Sequence, residues 1–479
     1  MKLKLELLSA SELGVMVSKK EITACELLDL FLARIKEKNP SLNAFVYLKE
    51  EEAKKKAKEM DERISKGEYV GPFAGVPFGL KDFLDSKKGW PNSRGGVKSL
   101  ISMDNEDSPF TIAMEKLGGI ALGKCNAPSY GFRGTCDNLL YGPTRNPFDL
   151  ERNSGGSSGG SACAVGASLV PIAEGGDAGG SIRIPASWCN CFGFKASVGT
   201  IANIHPSDSY STTHPYCMGG GITKSVLDSV ILLQEMAYYD PRDKDSVLLN
   251  KNYLEEIQKD ISSLRIAYTD DFDLFPVQEE IKTITYSKAL SLEKRGAKIE
   301  RVHFSFKRSL KEYAAIWSKN ISVDSSKEIQ QRWNPNNKDL PEEFLYWNHL
   351  ASMMKEEDFQ EYEDAKKEIE EAFSSIFKDY DLILSPVTAC FPVINDKNRN
   401  TLGPTSIEGK ECDPLIGFAL TFLVNFVGYP ACSIPLGLHH HLPLGLHMIA
   451  PRYQDEVVLR AAKHFEDLNP WRQYYLKTI

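Results

Sequence analysis

The spacing of apolar and polar positions changes along the chain, and each change of period assigns an element. Ser9-Ala10-Ser11-Glu12 and Thr23-Ala24-Cys25-Glu26 both carry the capping-box pattern, and after the second Leu27, Leu28, Phe31 and Ile35 recur at helical spacing. Two amphipathic helices therefore open the chain, the second ending at Asn39-Pro40. Ala44 to Leu48 reads as a strand, and Lys49 to Lys66, rich in Lys and Glu, as a solvated helix stopped by Gly67. The apolar run Val76 to Leu80 predicts a buried strand that delivers Lys81 at its end, where a lysine must lose its solvent. Ser108, Pro109 and Gly118 bracket a helix over Phe110 to Leu117, and Ile120 to Leu122 gives the next strand.

The alternation resumes beyond Pro185, with helices predicted around Val226 to Met236 and from about Val277 to Arg295. Strands are predicted at Leu264 to Tyr268, Lys298 to Val302, Leu382 to Ser385 and Leu444 to Ile449. Residues 306–380 read as a mainly helical insertion that includes the charged segment Lys355 to Phe373. Leu415 to Val427, apolar but interrupted by Thr421 and Asn425, reads as a core helix. No internal repeat is found, and the βαβ rhythm predicts an α/β protein.

Composition removes several function classes. The chain has 479 residues, 42% hydrophobic and 25% charged, with a formal net charge of −8 and no basic cluster, which argues against a nucleic-acid partner held by phosphate contacts. No apolar run reaches the ~18 residues of a membrane span, and the first residues carry lysines and Glu6 in place of a secretory apolar region, so a cytoplasmic protein is expected. The ten cysteines show no Cys-x-x-Cys spacing and read as reduced thiols. His439-His440-His441 beside Leu442-Pro443 reads as a solvated turn, and neither a metal nor a cofactor is called for.

The chemistry concentrates between Asn153 and Pro185. Nine glycines fall from Gly155 to Gly180, ends included, in two clusters each edged by serine: Asn153-Ser-Gly-Gly-Ser-Ser-Gly-Gly-Ser161, and Glu174-Gly-Gly-Asp-Ala-Gly-Gly-Ser-Ile-Arg-Ile-Pro185. Glycine suits positions where backbone takes positive φ or a ligand comes close. The first cluster reads as a loop entering a helix of small residues. The second follows the apolar run Leu169 to Ala173, which places Ser181 at a strand-to-loop exit. A turn such as Asp177-Ala178-Gly179-Gly180 can aim several N–H groups into one concavity, an anion site or oxyanion hole. Taken alone, either cluster is equally a structural turn.

A third stretch, Gly75-Val-Pro-Phe-Gly-Leu-Lys-Asp82, changes that weighting. With the two clusters it resembles the amidase signature family, over most of the chain: from the N-terminal helices through Lys81, Gly123-Lys124 and Gly142-Pro-Thr-Arg-Asn-Pro147 to Asn425, Gly428 and Pro430. The resemblance implies one large domain over 1–479, an α/β/α sandwich around one large mixed, mainly parallel sheet. It implies Lys81 as catalytic base, Ser157 as bridging serine after a cis Gly156–Ser157 peptide, and Ser181 as nucleophile, the serines being spaced as in the family. It further implies an oxyanion hole of N–H groups from Ala178, Gly179, Gly180 and Ser181, with Ser158, Asp177 and Arg183 in support. Gly131 to Cys136 and Trp317 occupy stretches that line the acyl pocket in relatives, although core packing explains Trp317 equally well.

Amides resist hydrolysis because the amine leaves poorly, so a nucleophile, a proton shuttle ending at nitrogen and oxyanion donors are all needed. The implied function is hydrolysis of a linear or cyclic small-molecule carboxamide through a seryl acyl-enzyme, by a monomer or homodimer. Within the family the chain resembles the branch containing 6-aminohexanoate cyclic-dimer hydrolase, and fatty-acid amide hydrolases are also similar. For Lys81 to act as a base its pKa must fall well below ~10.4. Asp82, the adjacent carboxylate, should point to the opposite face of the strand. One departure stands out: Gly176 occupies a position where relatives often carry threonine, and it could loosen the loop.

Two rivals share the motifs. Gly155-Gly-Ser-Ser-Gly159 also fits the G-x-S-x-G elbow of α/β-hydrolases, but Asp149-Leu-Glu-Arg-Asn-Ser154 makes a poor strand before it, and that reading leaves Lys81 and Ser181 idle. The glutaminase-type subunit of a tRNA-dependent amidotransferase shares the whole core. Such subunits typically carry glutamine where this chain has Ile184, which favours a stand-alone amidase.

Overall fold

Both N-terminal capping boxes close as their sequences require. Ser9 and Glu12 cap the helix Ala10–Ser18, and Thr23 and Glu26 cap Ala24–Leu42. In the computed structural model, which describes residues 4–204 and 216–478, the second helix runs through Pro40 to Leu42 instead of ending at Asn39. Proline there forfeits a hydrogen bond only in the last turn. The Asn39 side chain meanwhile receives the N–H groups of Ala44 and Phe45 and donates to the Phe45 carbonyl, fixing the exit into the first strand.

Eleven strands form one sheet: β1 (Phe45–Leu48), β2 (Pro77–Lys81), β3 (Ile120–Cys125), β4 (Ile172–Asp177), β5 (Phe192–Lys195), β6 (Met218–Thr223), β7 (Arg265–Tyr268), β8 (Lys298–Arg301), β9 (Leu382–Pro386), β10 (Ala431–His439) and β11 (Leu442–Ile449). Their spatial order is β1-β3-β2-β4-β6-β5-β10-β11-β9-β7-β8. The sheet is mixed, as expected. Its parallel pairs, however, are confined to β2 with β3 and β4, and to β7 with β8 and β9, while the other junctions are antiparallel. The expected parallel majority therefore fails, and at β10–β11 the reason is local: the connection is a two-residue turn, which can join only antiparallel neighbours. That turn is His440-His441, both exposed and both at positive φ (48° and 61°), in agreement with a solvated turn.

Helices flank the sheet. Gly159–Gly166 packs on β4 and β2, Arg183–Trp188 on β10 and β11, Val226–Met236 on β6, and Asp455–Leu468 on β10. Between β8 and β9 lie four helices, Leu310–Ile321, Val323–Arg332, Glu342–Ser352 and Glu356–Phe377. The core helix expected over Leu415 to Val427 is confined to Phe422–Val427. Upstream, backbone bonds to the segment after β9 take the place of helical ones: Ala389 N–H donates to the Phe418 carbonyl and Leu420 N–H to the Val387 carbonyl.

The parallel β2–β4 pair positions the site. Phe78 lies opposite Ile172 and Gly79 opposite Ala173, so the C-terminal ends of both strands, Lys81 and Asp177, emerge at one edge. That edge is where parallel α/β sheets hold their ligands.

Candidate active site

Lys81 is the last residue of β2 and is 1% exposed. Its Nζ donates to Ser157 Oγ at 2.8 Å and lies 3.4 Å from the Gly176 carbonyl. Burial pulls its pKa below the ordinary lysine value, opposed first by Glu174. The amine is thereby biased toward its neutral, basic form.

Asp82 does point away from Lys81, its carboxylate accepting from Ser93 N–H and Ser93 Oγ. The carboxyl group that approaches Lys81 is one the strand rule could not anticipate. Glu174, on neighbouring β4 and fully buried, accepts the Lys81 backbone N–H at 2.9 Å. Burial, and then the facing Asp85, push Glu174 well above the carboxylate range. The same burial disfavours charge on both groups, and Glu174 opposes the Lys81 shift only in part. Its only signal in the sequence was a glutamate in the middle of the buried run Ile172–Asp177, ahead of the Asp177 that ends it.

Ser157 follows a cis Gly156–Ser157 peptide and is 2% exposed. Ser158 stitches the first glycine loop to the second: its N–H donates to the Ser181 carbonyl at 3.2 Å, and its Oγ lies 3.3 Å from both N and O of Gly176. Gly176 itself sits in regular pairing opposite Gly219 of β6, so the departure from threonine leaves the strand intact. Ala178 and Ser181 are only partly buried, whereas Asp177, Gly179 and Gly180 between and before them are buried. The loop thus offers a hydroxyl to solvent beside a chain of backbone N–H groups.

Beneath that loop lies a closed polar network. Asp177 Oδ1 and Oδ2 each receive a guanidinium nitrogen of Arg183 at 2.9 Å, and Asp177 also accepts the N–H groups of Gly180 (2.8 Å) and Ile182 (3.2 Å). Gly180 N–H is therefore spent inside the loop, which leaves Ala178, Gly179 and Ser181 as candidate oxyanion donors. Arg183 continues to the Thr421 carbonyl, Asn425 Oδ1 and His447 Nε2. Burial and the Arg183 charge hold His447 well below the ordinary histidine value, so its neutral ring accepts from Arg183.

Although burial alone would raise the Asp177 pKa, Arg183 outweighs it and holds the carboxyl far below the usual carboxylate range. Because the folded value lies below the unfolded one, the stabilisation is complete above the ordinary carboxylate pKa and is lost as pH falls through the depressed value. Replacing Asp177 by asparagine strands a fully buried guanidinium. It is expected to cost about 3–5 kcal/mol, read as a lower urea midpoint at unchanged slope.

The residues expected to line a pocket divide. Gly131 is partly exposed, and a Cβ there would lie 3.0 Å from Ser157 Oγ and 3.1 Å from the Phe83 ring, so the absent side chain keeps the approach to Ser157 open. Around it stand Phe83 edge-on to Tyr130 (5.8 Å), Tyr130 stacked on Phe344 (5.2 Å), and Phe344 edge-on to Phe132 (5.2 Å). Cys136, by contrast, is fully buried behind the loop. Its N–H donates to Asn153 Oδ1 and its thiol to Thr144 Oγ1, and burial pushes the thiol up to about 11. Trp317, 2% exposed, turns its indole N–H toward the Ala178 carbonyl, 3.0 Å away.

A family model described as amidase matches residues 26–459. Among solved structures, a bacterial aryl acylamidase of the amidase signature family is 34% identical, with a TM-score of 0.95 over 98% of this chain and 98% of its own. A 6-aminohexanoate cyclic dimer hydrolase in complex with substrate is 25% identical, with a TM-score of 0.85 over 98% of each chain. A glutamyl-tRNA(Gln) amidotransferase subunit from Geobacillus thermodenitrificans is 32% identical over 496 residues, covering 97% of this chain and 98% of its own. Among the described residues no helix is long and apolar enough to cross a membrane.

Proposed function

From the premise that this chain belongs to the amidase signature family of carbon–nitrogen hydrolases, we propose that it cleaves small carboxamides with an apolar acyl or aryl part through an acyl-enzyme on Ser181. The observation that carries the reading is the 2.8 Å hydrogen bond from the buried Lys81 amine to Ser157 Oγ. It couples a base biased toward neutrality to a hydroxyl in the loop next to Ser181.

In this mechanism Ser181 Oγ attacks the carbonyl carbon, its proton passes to Ser157 Oγ, and the proton of Ser157 passes to Lys81 Nζ. The carbonyl oxygen becomes an oxyanion facing the N–H groups of Ala178, Gly179 and Ser181. The C–N bond then breaks as the proton returns from Lys81 through Ser157 to the departing nitrogen. Water then attacks the acyl carbon as its proton passes through Ser157 to Lys81, and that proton returns to Ser181 Oγ as the bond between the acyl carbon and Oγ breaks and the carboxylic acid leaves. Each half-reaction, acylation and then deacylation, leaves the relay as it began.

The aromatic wall of Phe83, Tyr130, Phe344 and Phe132 favours an apolar or aryl substrate portion. A panel of aliphatic, aryl, cyclic and long-chain amides, with free glutamine, compared by kcat/KM, tests this. Anilides and other apolar amides are expected to lead, and activity confined to glutamine would overturn it.

A second reading, a glutaminase-type subunit within a tRNA-dependent amidotransferase, is favoured by the similarity to the Geobacillus amidotransferase protein. Against it, Ile184 is fully buried, and its Cδ1 would lie 3.0 Å from a Cβ at Gly180, so an apolar group fills the place where those subunits typically carry glutamine. Amine release by the purified chain alone separates the two.

A further inference from the structure

Three successive carbonyls of the loop are tied from behind by side chains of distant segments. Asn425 Nδ2 donates to the Asp177 carbonyl at 2.9 Å, Trp317 Nε1 to the Ala178 carbonyl at 3.0 Å, and Thr421 Oγ1 to the Gly179 carbonyl at 2.7 Å. A peptide plane whose C=O is held on one side presents its N–H on the other. Fixing these carbonyls therefore orients the N–H groups of Ala178, Gly179 and Gly180; the last turns into Asp177, and the other two remain to face the reacting carbonyl.

The ties also explain the two glycines. A Cβ on Gly179 would lie 2.6–3.1 Å from the Trp317 indole, and one on Gly180, whose φ is +123°, would fall on Thr421 Oγ1. Only bare backbone lets Trp317 and Thr421 come so close. Asn425 and Thr421 sit at the helix Phe422–Val427, Thr421 as its first flanking residue, but Trp317 arrives from Leu310–Ile321, between β8 and β9. It packs edge-on against Phe422, with ring centres 6.5 Å apart.

We propose that Trp317 is a positioning residue for the oxyanion loop: its indole N–H holds the Ala178 peptide so that the adjoining N–H groups converge on the transition-state oxygen. This rests on the amidohydrolase reading. Trp317 then acts on the transition state more than on substrate binding, in contrast to the wall of an acyl pocket. Pre-aimed donors contribute most where charge develops, and misaligning one loses that contribution without loosening the ground-state complex.

The test compares wild type, Trp317→Phe, Thr421→Val and Thr421→Ser on one anilide, together with inhibition by an aryl trifluoromethyl ketone, which adds to a serine as a tetrahedral oxyanion. Trp317→Phe keeps a ring but loses the donor. A roughly tenfold fall in kcat is expected, the scale of one lost hydrogen bond, with KM within about twofold and ketone affinity weakened by about the same factor as kcat. Thr421→Val, acting on the next carbonyl from another element, is expected to repeat that fingerprint, and Thr421→Ser, which retains the hydroxyl, to restore it. A raised KM with unchanged kcat and ketone affinity in Trp317→Phe, the wild type being active, makes Trp317 a pocket wall and overturns the inference alone. If Trp317→Phe does not fold, Thr421→Val decides: unchanged kcat there overturns the clamp. A wild type that neither cleaves the anilide nor binds the ketone overturns the amidohydrolase reading and this inference with it.

Discussion

Replacing Ser181 by alanine is expected to lower kcat/KM on an amide by at least about 10⁴-fold, the scale seen when the nucleophile of a serine hydrolase is removed. The expectation follows from position. Ser181 stands where β4 gives way to the helix Arg183–Trp188, partly open to solvent, beside N–H groups whose carbonyls are tied off behind them. Without Oγ no acyl-enzyme forms, and the oxyanion donors act only on a far poorer attacking water. The hydroxyl lies outside the Asp177–Arg183 network, so the unfolding free energy from urea titration should stay within about 0.5 kcal/mol of wild type. Equal losses of activity and stability would instead make Ser181 a structural residue.

Much of this arrangement could be read from residue order, and the exceptions have physical causes. The capping boxes at Ser9 and Thr23, the buried strand ending at Lys81 and the helix Val226–Met236 were legible because their signals are local: a cap, a period, a stop. β5, β6 and β10 were missed, and Asp149–Asn153, expected to make a poor strand, forms one in a short antiparallel pair with Arg145–Asn146 outside the main sheet. β6 runs through Gly219, Gly220 and Gly221, which leave no side-chain alternation to reveal it, and β10 carries Pro435 and Gly437 at a shift of register. The parallel fraction of the sheet was overstated because the strands that went unread, β5, β6 and β10, make most of its antiparallel junctions. The contacts that shape the site, Glu174 with Lys81, Trp317 with Ala178 and His447 with Arg183, join residues far apart in the chain. No spacing rule connects them.

The second large effect concerns Lys81. Its amine touches Ser157 Oγ, is fully enclosed, and has its pKa lowered by burial more than Glu174 restores it. The base form is the neutral amine, so activity should be present above the depressed Lys81 pKa and be lost as pH falls through it and the lysine gains its proton. Lys81→Ala is expected to cost about 10³-fold, within the 10²–10⁴ range of a positioned acid–base group, and to abolish the acidic limb of the kcat/KM profile on one anilide. Ser157→Ala should lose rate as well, since the proton no longer has a bridge. A Lys81→Ala variant that kept an acidic limb at the wild-type pH would mean that another group is the base.

The bond to substrate is expected to form on Ser181 and not on the serine that Lys81 touches. Incubation with an alkyl fluorophosphonate, which phosphonylates an activated serine and stops there, followed by proteolysis and peptide mass spectrometry, addresses it most directly. The predicted result is one adduct, on Ser181, absent from Ser181→Ala and slowed in Lys81→Ala. An adduct on Ser157, or on any other residue, would contradict the account.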